Sequence, residues 1–371
     1  MIELTECFGC GLCAVACPCG ALEIKLNRQG FFTPVAYPDR CIKCGLCERV
    51  CPLRSRREST AALDSFAGWS LDPAVRSRSS SGGIGFELAR AALRAGYRVS
   101  AAAYDVESAT VRQFVADHED QLGAAAGSKY LQSFTFDAFA EFRKPGRFAV
   151  FGTPCQIAGV REFAGLKKRT GDFLLIDFFC HGVPSLRLWQ KYLADAEAVT
   201  GPVRRARWRT KDNRDWHDSY AIALEGEKSS LISGAREDDL FYRFFLGGLC
   251  RNPSCVNDCR FQGMSSAADI RLGDAWGEAY GNDSRGVSAV AVYSERGREL
   301  LERLENCRLE PYPALIRDKA KRKAAYSPPA WRYALDRLAG TGSLRSVWGS
   351  VRMLTPILRL RNRLAKLFGR S

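Results

Sequence analysis

Eight of the fifteen cysteines fall in two runs of one spacing. Cys7-x2-Cys10-x2-Cys13-x3-Cys17-Pro18 is repeated, 34 residues on, as Cys41-x2-Cys44-x2-Cys47-x3-Cys51-Pro52. Three thiols on one tight loop wrap one face of an iron–sulfur cubane. A fourth, placed after a short helical turn, points toward a neighbouring cluster. The pattern therefore predicts two 4Fe-4S clusters, one on Cys7, Cys10, Cys13 and Cys51 and the other on Cys41, Cys44, Cys47 and Cys17. Cys19 is left over. Structural zinc sites are the competing use of such thiols, but they favour C-x2-C pairs separated by longer loops. Two adjacent cubanes pass single electrons, so the chemistry to look for is redox.

Further thiols lie where an α/β sheet would present them. Phe148–Phe151 reads as a buried strand running into Gly152-Thr153-Pro154-Cys155-Gln156, followed by a helical Ile157–Leu166. Phe173–Phe179 is the next apolar run, ending in Cys180-His181-Gly182-Val183-Pro184-Ser185 before another helix. Strand, helix and strand imply parallel neighbours, which sets both thiols at the carboxyl edge of one sheet, where open α/β folds bind ligands. The plainer alternative for each is a core thiol. Cys250-x4-Cys255-x3-Cys259 adds three more, giving five candidates for a third cluster, or a zinc site, that needs four. Cys307 reads as an isolated core or surface thiol, and His118 and His217 lack metal-ligand company.

The elements that must carry these groups suit a chain of 371 residues with 46% hydrophobic content, enough for two or three domains. Cys7 follows the start too closely for an export signal, and no apolar run approaches the ~20 residues of a membrane span. The expectation is a cytoplasmic protein. Charge is uneven: residues 315–371 carry a net +12 and the preceding 314 residues only +2. Residues 54–59 read as a polar linker. Ser79-Ser80-Ser81-Gly82-Gly83-Ile84-Gly85 runs into a helical Phe86–Leu93, then a Gly96 stop and a strand over Tyr97–Tyr104. Small residues at a helix N-terminus admit a phosphate, although this is not the G-x-G-x-x-G fingerprint and is equally a capping turn. Arg204, Arg205, Arg207, Arg209, Lys211 and Arg214 alternate with Trp208 and Trp216. They read as one basic strand face, or as a stacking patch for nucleic acid. Leu354, Ile357, Leu358, Leu364, Leu367 and Phe368, set among Arg352, Arg359, Arg361, Arg363, Lys366 and Arg370, form a basic amphipathic helix suited to an anionic membrane surface, an acidic partner or docking on the body.

Taken in order, the two cysteine runs, Ser79-Ser80-Ser81-Gly82-Gly83, Gly127-Ser128-Lys129-Tyr130-Leu131-Gln132-Ser133, Gly152-Thr153-Pro154-Cys155-Gln156, Cys180–Ser185, Cys250–Cys259 and Asp269-Ile270-Arg271-Leu272-Gly273-Asp274-Ala275-Trp276-Gly277 resemble the coenzyme F420 hydrogenase/dehydrogenase beta-subunit family over roughly residues 1–310. The resemblance implies an iron–sulfur flavoprotein. FAD would contact Ser80, Ser81, Gly82, Gly83, Ser128, Lys129 and Tyr130, with Asp274 and Trp276 lining the same cavity. It further implies a third cluster on Cys155, Cys180, Cys255 and Cys259, with Cys250 as the competing ligand. The Cys-His-Gly-Val-Pro-Ser form looks more like a stand-alone bacterial branch than a deazaflavin-specific subunit.

The expected fold is an α/β (α+β) body behind a small bacterial-ferredoxin-like module with two 4Fe-4S clusters. The expected divisions are the module at 1–55, a linker at 56–66, two parts of the FAD-binding body at 67–147 and 148–310, and a basic tail at 311–371. The expected function is an oxidoreductase coupling two-electron (hydride) chemistry at FAD to one-electron transfer through 4Fe-4S clusters. Its partners would be ferredoxin or another oxidoreductase subunit and a small organic substrate or deazaflavin, without nucleic acid, and the tail offers contact with the inner face of the membrane. The alternative is a non-catalytic electron-transfer subunit of a larger complex.

Overall fold

The computed structural model describes residues 7–55, 60–257, 259–319 and 328–367, with side chains omitted at 317–319, 359 and 361–367. Fourteen strands are present among the described residues. They are β1 (Leu22–Leu26), β2 (Phe32–Ala36), β3 (Asp64–Ser70), β4 (Arg98–Asp105), β5 (Thr110–Ala116), β6 (Ser133–Phe134), β7 (Phe148–Phe151), β8 (Phe173–Phe178), β9 (Val203–Arg207), β10 (Ala221–Gly226), β11 (Ser230–Gly234), β12 (Ile270–Asp274), β13 (Ser288–Val292) and β14 (Cys307–Pro311).

Nine of them make one sheet in the order β14-β3-β13-β12-β8-β7-β4-β5-β6. β12, β8, β7 and β4 are mutually parallel, and β13 is antiparallel to both β12 and β3. Five strands, β3, β12, β8, β7 and β4, thus run the same way and end at one edge. Their apolar runs follow from burial on both faces. Along β7 and β8, Phe148, Val150, Phe173 and Leu175 enter the core beneath the helix Pro154–Leu166, while Ala149, Phe151, Leu174 and Ile176 enter the opposite core beneath the helix Ile84–Arg94. A second sheet, β11-β10-β9, packs with the helices Leu186–Thr200 and Leu240–Leu246 around Trp189, Trp208 and Phe241.

The cysteine-rich module is the β1–β2 hairpin with the short helices Leu12–Ala16 and Leu46–Arg49. The body grips it by side chains that reach its backbone. The Gln132 amide donates to Phe8 O (2.9 Å) and accepts from Phe32 N (2.7 Å), Thr135 donates to Cys10 O (3.0 Å), and Asn252 donates to Cys7 O (3.1 Å). Gly9 sits at φ 70° in this contact, where a Cβ would stand 2.0 Å from Gln132 Nε2 and 2.4 Å from Phe32 O. Gly9→Ala should therefore cost about 3 kcal/mol through clash and a left-handed backbone. Gly45→Ala, at φ 73° in open space, should cost about 1 kcal/mol. Denaturant midpoints of the two variants check the difference.

The basic tail is docked on the body rather than free over its first half. Ala330, Ala334, Leu338, Leu344, Val347 and Val351, from the helices Trp331–Leu338 and Leu344–Leu367, join the core that holds Leu188 and Trp189. Lys191 Nζ ties down Gly340 O at 2.8 Å, and Phe244 meets Trp348 edge-on at 5.7 Å. Past Val351 the apolar Met353, Ile357 and Leu360 are exposed. The predicted amphipathic side chains at 359, 361, 363, 364, 366, 367, 368 and 370 lie outside the described residues. Among the described residues no helix is long and apolar enough to cross a membrane.

Candidate redox site

Four thiols meet at the carboxyl edge of the large sheet. After β7, Thr153 caps the helix Pro154–Leu166 through a reciprocal capping box with Gln156, whose Oε1 accepts from Thr153 N (2.9 Å), and Pro154 takes the first turn. This local chemistry makes Gly-Thr-Pro-Cys-Gln a helix start and fixes Cys155 one residue inside it, 3.2 Å from Thr153 Oγ1. After β8, the loop at Cys180 turns through Gly182 at φ 103°, where a Cβ would lie 3.1 Å from Cys255 Cβ. The Cys250–Cys259 segment is laced to the same loop by Asn252 N→Val183 O (3.0 Å) and Ser185 N→Cys250 O (2.7 Å).

Electrostatics separates four of these five thiols from the fifth. Burial pushes the Cys155 thiol up, and the neighbouring Cys180 and Cys259 push it further. Burial likewise raises Cys180 to about 11, with Cys259 adding to it, and raises Cys255, with Cys180, Cys155 and Cys259 all contributing. Cys250 is raised to about 12 by burial alone, and its charged neighbour is Arg251, not another thiol. It packs in the aromatic core around Phe241 and Phe244. Such thiols stay protonated until a metal displaces the protons. Ser254, next to Cys255 in the chain, is fully buried and its Oγ lacks a hydrogen-bond partner. The four thiols, buried, convergent and accompanied by an unspent hydroxyl, fit a cubane.

Beneath this group lies an ion pair with both members wholly buried. The Arg271 guanidinium grips Asp177 with Nε (2.7 Å) and Nη2 (2.6 Å), and its Nη1 donates to Phe261 O (3.2 Å) and Gly263 O (2.7 Å). Ser266 adds a bond to Asp177 at 2.7 Å.

In the N-terminal module, Cys7, Cys10, Cys13 and Cys51 line one small cavity closed by Gly11, Pro34 and Pro52. Burial raises Cys7 to about 11, with Cys51 adding to it. The second set is more open: Cys47 is buried, Cys41 and Cys17 are half-buried and Cys44 is exposed, and Cys19 Sγ lies 3.7 Å from Cys17 Sγ. The first set adjoins both others, because Cys13 feels the charge of Cys47, and Phe8 meets Phe261 in a small cluster with Ala158 against which Cys155 and Cys259 pack. Among the described residues no three His, Cys, Asp or Glu groups close round a single ion. A cubane, with one thiolate per iron, takes its ligands over a larger object.

The residues that the resemblance implies for FAD form one contact network. Gly83 is the N-cap of the helix Ile84–Arg94 at φ 95°, and no side chain caps that N-terminus. Ser80 Oγ accepts from Ser128 N at 2.6 Å, which brings the segment Ser128–Tyr130 to the turn. Trp216 donates to Ser80 O (3.2 Å) and stacks on Trp276 (4.4 Å, 6°), and Tyr220 continues the stack to Tyr130 (6.1 Å, 12°). Asp274 is held by Arg209 at 2.9 Å. Lys129 is half-buried, donates to Ala126 O (3.0 Å), and burial alone pulls its ammonium down to about 7. A bare helix N-terminus and an under-solvated lysine without a carboxylate among its influences suit an anionic phosphate group of a nucleotide, while the aromatic rings lie stacked on one another with Trp216 wholly buried.

Arg209, Lys211, Trp216 and Tyr220 belong to this network and were not singled out for it by sequence. Lys211 donates to the carbonyls of Arg76 (2.7 Å), Ser81 (2.8 Å) and Arg285 (2.6 Å), so it pins the Ser80–Gly83 turn. The single basic face expected over residues 204–214 does not form. Arg204 and Arg205 face solvent, Arg207 pairs with Asp212, Arg214 pairs with Glu237, and Trp208 is fully buried beside Trp189. β9 ends at Arg207, and with it the alternation that a face requires.

The fold and these groups define an iron–sulfur protein in which a dicluster ferredoxin module is fused to an α/β body. Three family models match the chain: the 4Fe-4S dicluster domain over residues 6–54, and the N-terminal and C-terminal parts of the coenzyme F420 hydrogenase/dehydrogenase beta subunit over residues 65–139 and 146–312. The chain belongs to the coenzyme F420 hydrogenase/dehydrogenase beta-subunit family, a family of oxidoreductases. Thirteen chains of solved structures match. One, from the F420-reducing NiFe hydrogenase complex of Methanosarcina barkeri, is 18% identical, covers 70% of this chain and 89% of its own, and superposes with a TM-score of 0.51. That likeness is one of fold. A comparison with curated proteins found no match.

Proposed function

We propose that this chain is an iron–sulfur flavoprotein oxidoreductase that exchanges electrons between an organic two-electron partner, such as a deazaflavin, and a one-electron carrier, such as a ferredoxin. In this reading Cys155, Cys180, Cys255 and Cys259 hold a third 4Fe-4S cluster, and the Ser80–Gly83 turn with Ser128, Lys129, Tyr130, Asp274 and Trp276 holds FAD. The observation that carries it is the shared sheet edge: the convergent thiols follow β7 and β8, and the turn, the lysine and the aromatic stack sit at the ends of β3 and β12. Bound FAD would supply both two-electron exchange with the organic partner and one-electron exchange with the clusters. The chain's own residues do the rest. Lys211 fixes the turn and Lys129 offers positive charge to an anionic group, and the nearness of Cys13 to Cys47 and of the Phe8–Phe261 cluster to Cys155 supports a serial arrangement of the cysteine sets.

Anaerobic purification with iron, sulfide, zinc and flavin measured, then titration with reduced deazaflavin, NADH, NADPH and reduced ferredoxin, tests the proposal. About twelve irons and one FAD per chain, with one donor bleaching the flavin, is the expected result. About eight irons and no flavin overturns it. Bound FAD that no organic donor bleaches favours the electron-transfer subunit instead, a reading that the fold shared with a chain of a hydrogenase complex supports.

Lys129 gives the site a pH signature. With its ammonium drawn down to about 7, the free protein loses that charge as pH rises through neutrality. FAD affinity should fall over the same range, and Lys129→Met should flatten the profile, as measured by fluorescence titration of apoprotein. Without ligand the sign is opposite for stability. The unfolded chain keeps its proton up to the ordinary lysine range near 10.5, so the apoprotein gains stability as pH climbs from about 7.

A further inference from the structure

The two cysteine runs are copies of one loop, and the protein covers one copy and leaves the other bare. In the first, Phe8 is 5% exposed and packs edge-on against Phe261 at 6.1 Å, Gly9 lies under the Gln132 amide, and all of the helix Leu12–Ala16 is buried. The equivalent positions in the second are Ile42, 64% exposed, and Lys43, which holds the same left-handed turn at φ 56° without glycine. Cys44 is exposed where Cys10 is buried, and in the helix Leu46–Arg49 only Cys47 is buried. The covered twin shows what surface this loop accepts: an apolar contact on the residue after the first cysteine and close polar backing on the next.

The bare copy differs from its twin in charge. Gly9 is matched by Lys43 and Val15 by Arg49, and Arg40, stacked on Tyr37 at 4.8 Å, precedes the loop. Lys43, Arg49 and Arg40 are all exposed; the carboxylates among them are Asp39, exposed, and Glu48, half-buried, so the loop keeps a positive excess. Over residues 7–55 the module carries six Lys/Arg and three Asp/Glu. A lysine in a left-handed turn costs about 1 kcal/mol that glycine would not, yet it places a cation between two thiols.

We propose that exposed Ile42, with Arg40 and Lys43 beside it in the loop and Arg49 on the helix that follows, is the docking surface for an acidic one-electron carrier protein, which seats an apolar contact on Ile42 and its carboxylates on the three cations. The proposal rests on the cluster reading of Cys41, Cys44, Cys47 and Cys17. With a cluster held by those four thiols, one electron would pass to it from the carrier's reduced centre, and the carrier would leave oxidised by one electron. Charge complementarity of this kind sets the encounter rate and its salt dependence.

The probe is a purified acidic bacterial 4Fe-4S ferredoxin, used oxidised for binding by calorimetry and reduced for stopped-flow electron transfer to the full chain. The expected result is saturable binding that weakens with salt. Lys43→Glu and Arg49→Glu should each lower the bimolecular transfer rate about tenfold at low salt, and Ile42→Asp should do the same. Reduction by dithionite, which needs no docking, should keep its wild-type rate. Ferredoxin binding and transfer unchanged in both Lys43→Glu and Arg49→Glu would overturn the proposal. So would equally fast transfer from a basic cytochrome. Iron content unchanged by Cys44→Ser, or wild-type protein deaf to dithionite, would instead overturn the cluster reading beneath it, which assigns about four irons to that set.

Discussion

Serine at Cys180 should reduce the iron of anaerobically purified protein from about twelve to about eight per chain, while serine at Cys250 should leave it at about twelve. Both residues belong to the same pair of interlaced loops, joined by Ser185 N→Cys250 O, so a general loosening of the loops would affect both alike. The difference lies in where the thiols point their influence. Cys180 feels Cys259, whereas Cys250 is surrounded by the aromatic core. Cys155→Ser, Cys255→Ser and Cys259→Ser should behave as Cys180→Ser does. If Cys250→Ser loses four irons and Cys259→Ser none, the ligand set is wrong.

The second large effect concerns Arg271. Arg271→Leu strands the Asp177 carboxylate in a site from which water is excluded, and should cost about 3–5 kcal/mol. The loss should register in the denaturant midpoint with little change in the slope. Asp177 precedes Cys180 by three residues, and the carbonyls of Phe261 and Gly263, which Arg271 also holds, follow Cys259 closely. The same variant should therefore lower the iron content as well. Replacing both members, Arg271→Leu with Asp177→Leu, should recover much of the stability, because no charge is then left unpaired. It should not recover the iron, since the two carbonyls remain unheld. Recovery of both would mean that the pair acts only as a buried charge.

What the sequence disclosed was whatever is encoded over short distances. The ferredoxin-like runs are spacing, and a family model for a 4Fe-4S dicluster domain matches them. The strand-then-cysteine pattern at Cys155 and Cys180 is equally local, because a buried run followed by a capping sequence has few other meanings, and β7 and β8 are parallel as expected. Choosing between Cys250 and its neighbours was beyond reach. Its spacing to Cys255 suits a ligand, and only the three-dimensional structure puts it in one buried cluster with Phe241 and Phe244. Residues 204–214 mislead for a related reason. Alternating arginines resemble one face of a strand, but the strand stops at Arg207 and the following turns send Arg209 to Asp274 and Lys211 to the Ser81 carbonyl. Partners such as Asp283 for Arg76, 207 positions away, leave no trace in a local pattern.

The module that holds the first thiols is finished by residues from the far side of the chain. Phe31 of its hairpin is capped by Trp331 and Leu335, Gln29 is bonded to Asp336, and Trp331 in turn reaches Arg251 O at 3.0 Å, beside the third group of thiols. At a ribosomal pace of ~5–20 residues per second, roughly 15–60 s separate the emergence of Phe31 from that of Trp331. For that interval the hairpin lacks its Trp331 and Leu335 contacts. The hairpin of the module therefore waits for the helix Trp331–Leu338: its apolar closure at Phe31 is among the latest contacts that synthesis makes available.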